Sequence, residues 1–271
     1  MKRSIIFLDG QLLRADQGLL TRLAPWHLSG RGVFETMRVE DGVILFFPEH
    51  WRRLTKSLKI LRITIPYSRR EMEQQLRFLL ALNPWRQVRM RLTIWNERNK
   101  MHISMIAAAL ERSKQETFRV GVHRKKMQAM APSRRIKSID YQFFLAAYQA
   151  VRRRGFDEAV ILNQRNEVAE ASRSNVFVVK DSGLLTPSLV SGGLNGITRQ
   201  IVLRLARQKG MKIKETRLYL QDLQTAAEFF LTSSINGVVP VVGIGEHQIA
   251  DGRRGPWTQR LQAAYRGQTN V

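Results

Sequence analysis

A glycine-rich segment, Gly192-Gly193-Leu194-Asn195-Gly196, leads into a predicted helix that starts at Ile197. Free backbone N–H groups and the helix dipole make the start of a helix a favourable place for a phosphate group. Thr198 adds a hydroxyl donor in the first turn. The segment lacks the G-x-G-x-x-G spacing of a dinucleotide-binding loop. It predicts an anion site, although an ordinary loop before a capped helix explains the same residues.

Three further residues have types and neighbours that suit group-transfer chemistry. Lys137 precedes an apolar helix and follows other cations, a setting in which a lysine can form a Schiff base. Glu170 is followed by small polar residues as far as Asn175, which is typical of a carboxylate directed into a cleft or of a solvated turn. Arg53 lies at the edge of the apolar stripe of a predicted helix, so it projects inward or stays on the surface.

The composition excludes several other kinds of chemistry. Without cysteine the chain has no disulfide, thiol nucleophile, Cys-based zinc site or iron–sulfur cluster. The five histidines show no H-x-x-x-H spacing, so no metal site is expected. No apolar run reaches the ~18 residues of a membrane helix, and the first residues lack the apolar core of a signal peptide. These features predict a cytoplasmic protein with no membrane partner.

The net charge is +23, from 45 Lys and Arg against 22 Asp and Glu. Two cation-rich segments, Arg124–Lys137 and Arg152–Arg154, support an alternative in which the chain is a nucleic-acid-binding module. The other cations are spread along the chain, and no RNA-binding signature of glycine and aromatic residues is present. A generally basic surface is the simpler interpretation, and nucleic acid is not an expected partner.

Hydrophobic periodicity predicts a mixed α/β fold. Asp41-Gly42 indicates a hairpin between two apolar runs. Helices are predicted at about 48–61, 69–82, 141–154 and 197–209. Strands are predicted at 88–95, 102–109, 118–123, 158–162, 175–179, 229–232 and 238–244. A change to polar residues at 112–116 predicts a small domain of residues 1–115 and a larger domain of residues 116–271.

Eight segments of the chain occur in the same order in one known family. They are Gly30–Arg38, Glu49–Leu54, Lys137–Tyr141, Gly155–Ala159, Glu170–Phe177, Thr186-Pro187, Gly196–Arg199 and Leu231–Val241. In these segments the chain resembles the class IV aminotransferases, the fold-type IV pyridoxal-phosphate enzymes. The resemblance implies a homodimer. It also implies a small N-terminal α/β domain and a larger, β-barrel-like C-terminal domain with helices, which carries the cofactor lysine.

The resemblance also implies a role for individual residues. Lys137 corresponds to the lysine that binds pyridoxal 5′-phosphate and moves a proton on the substrate, and Glu170 to the partner of the pyridine nitrogen. Arg53 corresponds to the residue that holds the phosphate. The remaining expected contacts are the backbone of Ile197 and Thr198 with Ser233 or Ser234 for the phosphate, Tyr141 for the 3′ oxygen, and Phe34 for the substrate pocket.

Two reactions stay open for such a site. The segment Leu231–Val241 resembles that of the lyases, which favours a 4-amino-4-deoxychorismate lyase that yields 4-aminobenzoate and pyruvate in folate synthesis. An arginine-rich pocket would suit its dianionic small-molecule substrate. The alternative is a branched-chain or D-amino-acid aminotransferase, which uses the same residues but releases a keto acid. The segment Val88–Trp95 departs from the sequence usual in branched-chain enzymes.

Overall fold

The computed structural model describes residues 4–110, 115–129, 136–181 and 183–269. The chain divides into two compact units: Met1–Arg112 with Ile136–Tyr141, and Ser113–Arg135 with Gln142–Val271. Lys137 therefore groups with the first unit, whereas the sequence assigned it to the larger C-terminal domain. The reason is backbone pairing of its segment with a strand of the first unit. The domain boundary at residue 115 stays a prediction, since residues 111–114 lie outside the described part.

The first unit contains a six-stranded antiparallel sheet in the order β2-β1-β6-β5-β3-β4. Its strands are β1 (Ser4–Leu8), β2 (Gln11–Ala15), β3 (Arg31–Glu40), β4 (Val43–Ile44), β5 (Gln87–Glu97) and β6 (Lys100–Ala109). Its helices are α1 (Gln17–Arg22), α2 (Phe47–Leu61) and α3 (Arg69–Ala81). The hairpin predicted at Asp41-Gly42 is confirmed, because β3 and β4 pair across these two residues.

One face of this sheet packs against α2 and α3. Leu54 and Leu58 of α2 join Met72 and Leu76 of α3 in a core with the apolar residues of β3, β5 and β6. Burial of each such side chain contributes about 1.5–3 kcal/mol, so the α2 face is firmly held against the sheet. Other side chains of α2 that point toward the sheet are therefore buried as well.

The second unit contains a nine-stranded mixed sheet in the order β12-β11-β10-β13-β14-β7-β8-β9, with β15 beside β14. Its strands are β7 (Phe118–Val122), β8 (Glu158–Leu162), β9 (Val168–Ala171), β10 (Asn175–Lys180), β11 (Gly183–Pro187), β12 (Lys212–Thr216), β13 (Glu228–Ser233), β14 (Gly237–Ile244) and β15 (His247–Gln248). Its helices are α4 (Gln142–Arg152), α5 (Ile197–Gln208), α6 (Leu220–Gln224) and α7 (Pro256–Gly267). The sheet curls, so that β9 also lies near β10 and β11.

The mixed α/β fold with a curled second sheet is confirmed. Each predicted helix and strand is present, and its ends lie within two residues of the expected ones. Strands β1, β2, β9, β11, β12 and β15 and helices α1, α6 and α7 were not predicted, because they are short or weakly periodic. In the described ranges no helix is long and apolar enough to span a membrane.

Candidate active site

Lys137 lies beside β3 in the first unit. Phe34 N donates to Lys137 O at 3.0 Å, and Ile139 N donates to Gly32 O at 3.1 Å. The Nζ atom of Lys137 is 4.5 Å from the ring centroid of Phe34 and 5.5 Å from that of Tyr141. The two rings meet edge to face, with centroids 5.4 Å apart. Three residues assigned to the site by resemblance thus form one cluster, with the amine against two aromatic rings.

Arg53 forms a two-point ion pair in the same unit. Its Nε donates to Glu35 Oε1 at 2.8 Å, and its Nη2 donates to Glu35 Oε2 at 2.6 Å. His50 Nδ1 lies 2.6 Å from Glu35 Oε2, and the side chains of His50 and Glu35 are buried. The expected phosphate-binding arginine is therefore held by a buried carboxylate, which itself has a second polar partner.

Burial and neighbouring charges determine the protonation states of Glu35 and His50. Burial raises the pKa of Glu35, but Arg53 and His50 outweigh burial and lower this pKa to about 2. Burial also lowers the pKa of His50; Arg53 and Lys137 lower it further, while Glu35 opposes them. At neutral pH Glu35 is thus ionised and His50 is neutral. Neither residue was predicted as part of the site, although Glu35 interrupts an apolar strand and His50 lies three residues before Arg53 on α2.

The glycine-rich loop of the second unit is held on both sides of Leu194. Glu170 Oε2 accepts from Leu194 N at 3.0 Å, and Asn175 Nδ2 donates to Leu194 O at 2.7 Å. A Cβ on Gly193 would lie 2.6 Å from Ala169 O, and one on Gly196 would lie 2.0 Å from Asn175 Oδ1. The two glycines therefore allow the loop to approach β9 and β10 closely.

This loop leads into the first turn of α5. Gly196 has no side chain to cap the helix, so the first N–H groups of α5 are suited to an outside acceptor. Ile197 and Thr198 are buried, and Thr198 Oγ1 lies 3.5 Å from Tyr265 Oη. Ser233 ends β13, where its hydroxyl accepts from Asn236 N at 3.2 Å. Ser234 follows in the same turn.

Arg91 of β5 is a further candidate residue that no sequence pattern indicated. The strand register places it beside Thr36, on the face of the sheet that carries Phe34. Its Nε is buried without a hydrogen-bond partner, and its guanidinium lies 5.5 Å from the Trp26 ring centroid. Burial, and then the charge of Arg89, lower the pKa of Arg91 to about 10. A cation of this kind favours an anionic ligand.

The described residues 124–129 of the first basic segment and the three arginines of 152–154 lie in the second unit, whereas Lys137, which ends the first segment, lies in the first unit. Arg124, Lys125 and Lys126 are exposed, as are the three arginines of 152–154. Residues 130–135 of the first segment lie outside the described part. Over the described ranges, no group of three His, Asp or Glu side chains is placed to hold a metal ion. A role for the basic segments in binding a polyanion stays a prediction.

Comparison with known proteins establishes the family. The model of the family described as amino-transferase class IV matches residues 32–244, and the chain belongs to this family. It is 31% identical to the branched-chain-amino-acid aminotransferase of Pseudomonas aeruginosa, over 96% of this chain and 91% of that protein. It is also 31% identical to the D-alanine aminotransferase of Listeria monocytogenes, over 86% of this chain and 84% of that protein.

A solved structure agrees with this assignment. The branched-chain amino acid aminotransferase of T.th., solved with pyridoxamine 5′-phosphate, matches with a TM-score of 0.86 and 25% identity. The match covers 98% of this chain and 93% of that one. The resemblance found in the sequence is thereby confirmed: the chain is an enzyme of a family that uses pyridoxal phosphate. The roles of the individual residues stay predictions.

Proposed function

We propose that the chain is a pyridoxal 5′-phosphate-dependent aminotransferase whose substrates include an amino acid or keto acid with a carboxylate that binds Arg91. One observation carries the proposal: Lys137 Nζ lies against the Phe34 and Tyr141 rings, and Arg91 lies on the same face of the sheet as Phe34. A lysine amine that can condense with an aldehyde and a cation that can bind a carboxylate suit this chemistry. Family membership supports the same activity.

The donor set fits the cofactor. The first N–H groups of α5 and the Thr198 hydroxyl suit a phosphate, and the close loop approach requires Gly193 and Gly196. The buried carboxylate of Glu170 suits a protonated ring nitrogen. When bound, pyridoxal phosphate supplies an aldehyde that takes up an amine and a ring that accepts electrons. These groups support the proposed cofactor site.

Side chains of the protein account for cofactor attachment, proton transfer and substrate binding. Lys137 would hold the cofactor through its amine and would act as the base and acid at the substrate Cα. Phe34 and Tyr141 lie against the Lys137 amine, and the hydroxyl of Tyr141 would bind the 3′ oxygen of the ring. Arg53, fixed by Glu35, adds positive charge for the phosphate. Arg91 binds a carboxylate of the substrate.

A lyase acting on 4-amino-4-deoxychorismate is the second candidate. Arg38 on β3 and Arg89 on β5 are opposite each other in the strand register, and both lie on the face of the sheet that carries Arg91. Three arginines on one face suit a dianionic substrate better than an aliphatic one. The relatives at 31% identity are aminotransferases, and for this reason we place transamination first. The homodimer and the cytoplasmic location expected from the sequence stay predictions.

Turnover with and without a keto acid separates the two reactions. We expect branched-chain amino acids, L-glutamate or D-alanine to be converted repeatedly only when 2-oxoglutarate or pyruvate is added as amino acceptor. A lyase would release pyruvate repeatedly from 4-amino-4-deoxychorismate without any acceptor. That result, together with no conversion of amino acids in the presence of an acceptor, would reject the aminotransferase.

A further inference from the structure

Helix α7, which no sequence pattern singled out, is fixed along the β13–β14 hairpin. Glu228 at the start of β13 accepts from Trp257 N at 2.9 Å and from Thr258 N at 2.7 Å, in the first turn of the helix. One turn beyond, Gln262 Nε2 donates to Val238 O at 2.9 Å. These hydrogen bonds fix the position of α7 along the hairpin and its rotation about its own axis. The position of the next residue that points inward is therefore fixed as well.

That next residue is Tyr265, whose side chain is 6% exposed. Its ring packs on Gly237, where an added Cβ would lie 3.0 Å from Cε1 of the tyrosine. Gly237 has φ +66°, a conformation that favours glycine, and it pairs with Ser233 across the hairpin. At its other end, Tyr265 Oη lies 3.5 Å from Thr198 Oγ1. One side chain thus contacts both the hairpin turn and the start of α5.

We propose that Tyr265 is a positioning residue for the cofactor phosphate, an inference that rests on the proposed function. The phosphate donors assigned to the second unit come from two elements, the first turn of α5 and the turn that carries Ser233 and Ser234. The ring of Tyr265 sets the spacing between these elements. When the tyrosine hydroxyl donates to Thr198 Oγ1, the Thr198 proton is directed away from it, toward the phosphate. Hydrogen-bond donors that are displaced by about 1 Å from their productive positions bind their ligand more weakly.

A plain core role for Tyr265 makes a different prediction. A core residue needs the ring but not the hydroxyl, so Tyr265→Phe would then leave cofactor binding unchanged. A positioning residue for the phosphate affects only ligands that carry a phosphate. Pyridoxal, which has the same aldehyde and ring but no phosphate, is therefore the matched probe for pyridoxal 5′-phosphate.

The experiment measures the dissociation constants of pyridoxal 5′-phosphate and pyridoxal by absorbance titration of the cofactor-stripped full-length enzyme. We expect Tyr265→Phe to weaken pyridoxal 5′-phosphate binding about three- to tenfold and to change pyridoxal binding less than twofold. Tyr265→Leu, which also removes the ring beside Gly237, should produce a larger change in the same direction. Tyr148→Phe is the matched control, since its ring lies on α4 under Arg173 and should leave both constants unchanged.

The outcomes separate this inference from the proposed function. Equal weakening of both ligands by Tyr265→Phe, or no weakening of either, overturns the positioning role while the wild-type enzyme still binds pyridoxal 5′-phosphate. Failure of the wild-type protein to bind pyridoxal 5′-phosphate at all overturns the proposed function itself. If Tyr265→Leu does not fold, as judged from its thermal transition, the Tyr265→Phe comparison alone decides.

Discussion

Arg53 gives two of its donors to Glu35, with Nε 2.8 Å from Oε1 and Nη2 2.6 Å from Oε2. The carboxylate is buried on β3, and the arginine side chain is 13% exposed on α2. The guanidinium is therefore fixed by the protein itself. This pre-arrangement reduces the side-chain ordering that ligand binding would otherwise require.

Glu35→Gln should destabilise the protein, because it leaves the guanidinium of Arg53 without its charged partner in a largely desolvated place. We expect a loss of about 3 kcal/mol in the free energy of unfolding, measured by urea denaturation. Glu73→Gln is the control, since its pair with Arg77 is exposed on α3 and contributes about 0.3–0.5 kcal/mol. Equal losses in the two variants would contradict a special role for the Glu35–Arg53 pair.

The stabilisation from Glu35 should depend on pH in the acid range. Its folded-state pKa of about 2 lies below the ordinary value of 4.5, so the unfolded chain binds more protons between these values. The stabilisation is therefore complete above about pH 4.5 and is lost as the pH falls toward 2. The difference in unfolding free energy between wild type and Glu35→Gln should shrink from pH 6 to pH 3. A constant difference would show that the folded state does not lower the pKa of Glu35.

Gly196→Ala should displace the start of α5. The new Cβ would lie 2.0 Å from Asn175 Oδ1, so Asn175 must move and its hydrogen bond to Leu194 O is strained. We expect a loss of about 1–3 kcal/mol in stability and weaker binding of pyridoxal 5′-phosphate. In Gly267→Ala the Cβ meets nothing within 4 Å, so stability should stay the same or rise slightly. Unchanged cofactor binding in Gly196→Ala would contradict the phosphate role of this loop.

Arg91→Gln should raise KM for a substrate whose side-chain carboxylate binds this residue, with little change in kcat. Loss of a charge-assisted hydrogen bond of about 1.5–3 kcal/mol corresponds to a rise of roughly ten- to a hundredfold. Steady-state kinetics with L-glutamate, which has a carboxylate in its side chain, and with a branched-chain amino acid, whose side chain is uncharged, measures the effect. Arg86 forms an exposed ion pair with Asp41, and Arg86→Gln should leave KM unchanged for both substrates. Equal effects of Arg91→Gln on both substrates would mean that Arg91 does not select the anionic one.

The sequence predicted those parts of the site that depend on local pattern. The glycine-rich loop before α5 follows from Gly192 to Gly196 and the helix period after them. The family resemblance led to Lys137, Phe34 and Tyr141, which the structure brings together. The same resemblance marked Arg53, but its carboxylate partner lies eighteen residues earlier, on another element.

The rest depends on tertiary contacts that no local pattern records. Tyr265 is sixty-seven residues from Thr198 in the chain, and α7 has only a modest apolar stripe. Arg91 alternates with the buried Met90 and Leu92 on β5, so its position predicts only that it lies on the opposite face of the strand from them. Its burial arises from the elements that cover that face, among them Trp26. Polar residues within apolar strands, such as Glu35 and Arg91, were the available signals.

The most direct test of the account is whether Lys137 binds the cofactor. The purified protein is mixed with pyridoxal 5′-phosphate, reduced with borohydride, digested and examined by mass spectrometry, with Lys137→Ala and Lys126→Ala treated in parallel. We expect a visible absorbance band that borohydride removes, and a phosphopyridoxyl group on the peptide that contains Lys137. Lys126→Ala should behave as wild type, and Lys137→Ala should show neither the band nor the label. A label on another lysine, or an unchanged band in Lys137→Ala, would contradict the assignment of this site.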